Sequence, residues 1–70
     1  MRRLNVSSSN LRSVGYETLS STLEIEFHSG GIYQYFGVSE NIYQALMNAS
    51  SHGQYFAYNI KNGYRYRKIR

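Results

Sequence analysis

Alternating apolar and polar residues at the centre of the chain predict two β-strands joined by a glycine-rich turn. From Thr22 to His28 every second residue is apolar, the pattern of a strand with one buried face. A three-residue Ser-Gly-Gly turn then pairs Phe27 with Tyr33 and gives a glycine the positive-φ position. The same register pairs Ile25 with Tyr35 and leaves both tyrosines on the apolar face, whereas a slip of one residue would place them with the glutamates.

A further strand is predicted upstream, from Leu11 to Tyr16, with Gly15 permitting a close approach of backbone or a bulge. The polar segment from Glu17 to Ser21 is short enough to be a hairpin loop. A hairpin places this strand antiparallel beside the next one. The three strands together form a β-meander.

Two helices are predicted after the meander. Ser39 has the position of an N-cap before a first helix. Ser51, followed three residues later by a glutamine, has the form of a capping box before a second helix from His52 to about Asn62 that stops at Gly63. The apolar stripe of the first helix consists of Ile42, Ala45, Leu46 and Ala49.

The predicted fold class is therefore α+β, a three-stranded antiparallel meander followed by two helices (βββαα), in a single domain over residues 1–70. Residues 64–70 alternate weakly and are either an extended tail or a short added strand. Deletion of residues 65–70 is expected to cost about 1 to 2 kcal/mol at most, because a terminal segment is normally the least constrained part of a domain.

Composition narrows the class of protein. The 70 residues include no cysteine and only two histidines, so neither a disulfide nor a structural metal site is expected. Eight tyrosines and three phenylalanines must supply much of the core. No hydrophobic segment has the character of a signal peptide or the roughly 18 apolar residues of a membrane span, so a soluble, cytoplasmic protein is expected.

The net charge of +4 is concentrated near the C-terminus, where residues 61–70 carry no acidic residue. Cations interleaved with tyrosines suit phosphate contact combined with base stacking, although a solvated basic tail has the same composition. The candidate nucleic-acid-binding residues are Lys61, Tyr64, Arg65, Tyr66, Arg67, Lys68 and Arg70.

Two further groups of residues have alternative interpretations. Tyr33 and Tyr35 either stack on exposed bases or pack beneath the helices, and the predicted register favours packing. Glu24 and Glu26 are interpreted as solubilising residues on an exposed sheet face that repels phosphate. Any RNA surface is therefore expected on the side of the helices and the tail.

Several motifs resemble the KTSC domain, which is named after the C-terminus of some lysyl-tRNA synthetases and also occurs as small stand-alone bacterial and phage proteins. The central Tyr-x-Tyr of that family matches Tyr33 and Tyr35, and the resemblance covers nearly the whole chain. Ser39 stands where the family usually has proline, and Ala57 stands where it often has asparagine. The matching segments are Val6–Ser9, Leu11–Tyr16, Thr22–Phe27, Ser29–Tyr35, Leu46–Phe56 and Ile60–Lys61.

Within the matching segments, Ser51-His52-Gly53 combines a hydroxyl with an imidazole, the parts of an acyl-transfer site. Adjacent residues at a helix start do not bring these groups together, the chain has no aspartate, and capping accounts for Ser51. No catalytic residue is therefore predicted. Gly53 is assigned to close packing of the helix.

The clustered C-terminal charge predicts a small module that binds RNA weakly, either tRNA or a single strand, without a cofactor or metal. The resemblance adds only the synthetase context, which suggests RNA, because the family has no established activity. With no catalytic constellation, the module is expected to be non-enzymatic. The alternative is a protein-interaction module that docks on a host or synthetase partner through a tyrosine-rich rim, since tyrosine and arginine are favoured at interface hot spots. Survival of the complex at high salt after nuclease treatment would distinguish protein interaction from RNA binding.

Overall fold

Five strands and two helices make up the fold in the computed structural model, which describes all 70 residues. The strands form one antiparallel sheet in chain order, so the predicted α+β class and the central meander are confirmed, but the sheet is larger than predicted. The elements are β1 (Arg3–Asn5), β2 (Leu11–Glu17), β3 (Thr22–Phe27), β4 (Ile32–Phe36), α1 (Glu40–Asn48), α2 (His52–Asn59) and β5 (Tyr66–Lys68).

Strand β1 was not predicted, and it pairs with β2 so that Arg3 lies opposite Gly15. A Cβ atom at Gly15 would lie 2.8 Å from the carbonyl oxygen of Arg2, so the close approach of β1 requires a glycine there. Of the two roles predicted for Gly15, a close approach of backbone or a bulge, the structure shows the close approach. The bulge lies elsewhere in β2, between Leu11 and Ser13.

The β3–β4 register differs from the predicted one by two residues. Ile25 lies opposite Tyr33, and Leu23 lies opposite Tyr35. The hairpin loop consists of residues 28–30 because Gly30, with φ of 103°, takes the left-handed position and Gly31 already bonds to the backbone of Phe27. A shift of two residues preserves side-chain parity, so both tyrosines stay on the predicted face.

The core lies between the sheet and the helices. Ile25 of β3, Leu46 of α1 and Phe56 of α2 are almost fully buried in one cluster. The Ser39 and Ser51 hydroxyls accept hydrogen bonds from Ile42 and Gln54 backbone N–H groups, which confirms both predicted N-caps.

Helix α2 ends at Asn59, three residues before the predicted end. The backbone N–H groups of Ile60 and Lys61 both donate to the carbonyl oxygen of Phe56, and the longer-range bond from Lys61 ends the regular helix with a wider turn. This turn places the side chain of Ile60 in the core, where it is fully buried. Gly63 then closes the turn by donating to the carbonyl of Ile60.

The sheet face opposite the helices carries a buried polar cluster, which corrects the interpretation of Glu24 and Glu26. Glu24 is 5% exposed and forms an ion pair with Arg3. Its other carboxylate oxygen accepts a hydrogen bond of 2.9 Å from Gln34, and Ser13 donates to Glu26 over 2.8 Å. Glu24 is therefore a structural ion-pair partner, not a solubilising residue, because β1 brings a guanidinium onto this face.

Candidate nucleic-acid interface

Pairing of β5 with β4 divides the basic C-terminal residues between two faces of the sheet. Tyr66 lies opposite Tyr35 and Lys68 lies opposite Tyr33, so both share the face that carries the helices. Arg67 lies opposite Gln34 on the other face. Of the two predicted alternatives, an extended tail or a short added strand, the structure shows the added strand. Side chains alternate along a strand, so the cations of β5 lie on opposite faces of the sheet.

The remaining candidate residues fall at different places. Arg65, two residues before Arg67, shares the side of the sheet opposite the helices. Tyr64 is partly buried and packs against the core. The carbonyl oxygen of Arg70 accepts a hydrogen bond from the N–H of Ile32, so the chain remains attached to β4 up to its last residue.

An open cleft of about 380 Å³ lies between the β3–β4 hairpin, β5 and the end of α2. We call it the aromatic cleft, because aromatic rings form most of its apolar wall. It brings together Lys61 and Tyr66 of the predicted basic segment with the central Tyr33 and Tyr35. Its lining residues are Asn10, Phe27, Ser29, Tyr33, Tyr35, Phe56, Ala57, Lys61, Asn62 and Tyr66.

The rings of the aromatic cleft pack against one another. Tyr66 lies 5.9 Å from Tyr33 and 5.6 Å from Tyr35 between ring centroids. Phe27 meets Tyr33 edge-on at 5.6 Å, and Phe56 meets Tyr35 edge-on at 5.3 Å. These contacts hold the rings in place before any ligand arrives. Tyr35 belongs to the core cluster, whereas Tyr33 packs against that cluster and remains partly exposed to the cleft.

Burial raises the pKa of the Tyr35 phenol from 10.0 to about 12, and the neighbouring phenols of Tyr33 and Tyr66 contribute to this shift. Because the folded-state pKa exceeds the unfolded one, the neutral phenol's contribution to stability is complete below about pH 10 and is lost as the pH rises through about 12. We expect Tyr35→Phe to remove the last-titrating step from an absorbance titration of phenolate. It should also reduce the loss of stability between about pH 10 and 12, and an unchanged titration curve would contradict this assignment.

A second, polar cleft of about 410 Å³ borders the start of α2 and the serine-rich segment before β2. The His52 Nδ1 atom lies 2.8 Å from the carbonyl oxygen of Leu46, so the ring fixes the turn between the helices, while Ser51 caps α2. The Ser51 hydroxyl and the His52 imidazole do not hydrogen-bond to each other, so they form no nucleophile–base pair. Gly53 lies against the segment before β2, where an added Cβ would be 3.5 Å from the Ser8 hydroxyl.

Sequence reasoning missed several residues of the aromatic cleft. Asn10, Ser29 and Asn62 are exposed polar residues in loops, and their positions at its rim follow from the packing of three distant segments. Phe27 could have been found, because its alternation in β3 places it on the same face as Tyr33.

Neither helix combines the length and apolar character that crossing a bilayer requires. No three histidine, aspartate or glutamate side chains converge to form a candidate metal site.

The profile of the KTSC domain matches residues 7–64, and the chain therefore belongs to the KTSC domain family. The fold is similar to the crystal structure of a KTSC domain protein from Yersinia pestis, with a TM-score of 0.96 and 43% sequence identity over 99% of this chain and 97% of that chain.

Two curated relatives show the contexts in which similar sequences occur. An uncharacterised protein from Stutzerimonas stutzeri is 43% identical over 70 residues, covering 99% of both chains. A lysine–tRNA ligase from Nostoc sp. is 39% identical over 66 residues, which are 94% of this chain but 12% of the ligase. The chain thus corresponds to a small part of that enzyme.

Proposed function

We propose that this KTSC domain binds RNA weakly through the aromatic cleft. The observation that carries the proposal is the meeting of partly exposed tyrosine rings with Lys61 in one cleft, beside the strand that bears Lys68. Aromatic faces stack on bases without strict sequence preference, and lysines contact phosphates. Similarity to a segment of a lysine–tRNA ligase supports RNA as the class of ligand.

The charges on the two sheet faces favour the helix side for phosphate contacts. On the opposite face, Arg67 neighbours Gln34, whose amide bonds to the carboxylate of Glu24. Glu26 adds a second carboxylate to that face. Arg3 is held by these two carboxylates, which also lie near Arg67 and weaken its attraction to phosphate. We therefore assign phosphate contacts to Lys61 and Lys68, and place Arg65 and Arg67 outside the binding surface.

This assignment makes a quantitative prediction for the salt dependence of RNA binding. Two phosphate contacts with a single strand give a slope of log K against log[salt] of about −1.4, whereas all five C-terminal cations would give about −3.5. The measurement is a titration of a fluorescently labelled RNA between about 50 and 200 mM salt.

Two matched double variants test the same assignment. Lys61→Gln with Lys68→Gln should lower affinity about tenfold at low salt, because both proposed phosphate contacts are lost. Arg65→Gln with Arg67→Gln removes the same charge from the opposite face and should change affinity less than about twofold. Equal losses in the two variants would contradict the assignment, and no RNA binding by the wild-type protein at low salt would reject the function. Nuclease-resistant capture of a protein partner would favour the alternative function.

A further inference from the structure

We infer that the aromatic cleft receives an unpaired base, so that the domain selects single-stranded RNA over a duplex. This inference rests on the proposed function and narrows its ligand to one class. It is carried by the shape of the cleft, by the sparse charge around it and by the polar side chains at its rim.

The graded exposure of the aromatic rings fits a single ring system entering from solvent. Tyr35 and Phe56 are 4% and 2% exposed and form the floor, whereas Tyr66 is 59% exposed and stands at the rim. The exposed part of Tyr66 offers a stacking surface above a floor that is already packed. A base in a duplex has both faces covered by its neighbours and cannot reach such a surface without leaving the stack.

The cations near the aromatic cleft are too few for recognition of a duplex by its backbone. Proteins that bind double-stranded RNA contact phosphates and 2′-hydroxyls across successive grooves. Lys61 lines the cleft and Lys68 lies on this face of the sheet, whereas Arg65 and Arg67 project from the other side. Binding must therefore draw much of its free energy from base stacking, which needs an unpaired base.

Polar side chains at the rim suit the exposed edge of an unpaired base. Asn10, Ser29 and Asn62 line the cleft and are exposed, and their amides and hydroxyl supply both donors and acceptors. The side-chain amide of Asn59, by contrast, already donates a hydrogen bond to the carbonyl oxygen of Tyr55. In a duplex the Watson–Crick edge is already paired, so only an unpaired base can use these groups.

Competition between RNA forms tests the inference with the unaltered protein. An RNA of about twelve nucleotides is compared with the same strand annealed to its complement and with a strand of abasic residues of equal length. We expect the duplex and the abasic strand each to bind at least about tenfold more weakly than the single strand. Equal affinity for all three, with the salt slope retained, would overturn the inference but leave RNA binding intact. Absence of binding to every form would overturn both.

Substitutions at the rim provide a second test. Tyr66→Ala should weaken binding to the single strand about tenfold and abolish the quenching of a 2-aminopurine base, whereas Tyr66→Phe keeps the ring and should bind within about twofold of wild type. Tyr58→Ala is the control, because Tyr58 is 81% exposed on α2 outside the aromatic cleft. Far-ultraviolet circular dichroism verifies that each variant is folded. Unchanged quenching in a folded Tyr66→Ala variant would overturn the inference.

Discussion

Deletion of residues 65–70 is expected to lower the free energy of unfolding by about 3 kcal/mol. This exceeds the loss of about 1 to 2 kcal/mol at most that is expected for a tail without partners in the fold. Strand β5 bonds along β4 from Phe36 to Ile32. The net gain from these hydrogen bonds is largely offset by the entropy of ordering the segment. The stabilisation that remains is apolar burial, since Tyr66 covers the rings of Tyr33 and Tyr35. Urea denaturation followed by circular dichroism measures the loss.

A full-length variant separates the strand from its charge. Replacing all four cations of the segment by glutamine removes the same formal charge but leaves the backbone bonds and Tyr66 in place. This variant should remain within about 0.5 kcal/mol of wild type, because the four side chains are exposed. A deletion that costs less than about 1 kcal/mol would show that β5 contributes little to the sheet. The substituted residues are Arg65, Arg67, Lys68 and Arg70.

Replacement of Arg3 by methionine is expected to cost about 2 kcal/mol, because it leaves the buried Glu24 carboxylate without its cation. Gln34 still donates to Glu24 but does not neutralise it. The expected loss is smaller than for a fully buried ion pair, because the Arg3 side chain is 25% exposed to solvent. Denaturation midpoints in urea provide the measurement.

The neighbouring arginine is the matched control for this substitution. Arg2 is exposed and forms no ion pair, so Arg2→Met should change stability by less than about 0.5 kcal/mol. Adding Glu24→Gln to Arg3→Met should recover much of the loss, since the amide carries no charge to be neutralised. If Arg3→Met is as stable as Arg2→Met, the ion pair does not stabilise β1 on the sheet.

The parts of the fold that could be predicted depend on local patterns. Alternation in β3 and the serines at positions 39 and 51 specify strand and helix starts from neighbouring residues alone. Strand β1 has no such pattern, since Leu4 is its one apolar residue and is 52% exposed. Its place depends on Gly15 and Glu24, which lie far along the chain, and this long-range dependence hid both β1 and the burial of Glu24.

The candidate site was predictable in its residue types but not in its arrangement. Aromatic and basic residues near the C-terminus indicated an interface, yet only pairing with β4 assigns Lys68 and Arg67 to opposite faces. The β3–β4 register was similarly ambiguous because Gly30 and Gly31 are both able to take the left-handed turn position. Either glycine keeps the parity of the strand, which is why the face of the tyrosines was predicted correctly.

The most direct test of RNA binding at the aromatic cleft is a titration of ¹⁵N-labelled protein with single-stranded RNA, followed by backbone amide chemical shifts. We expect the largest shift changes at residues around the cleft, such as Lys61, Asn62 and Tyr66, with little change at Glu24 and Glu26 on the opposite face. Shift changes centred on the opposite face, or none at low salt, would contradict binding at the aromatic cleft.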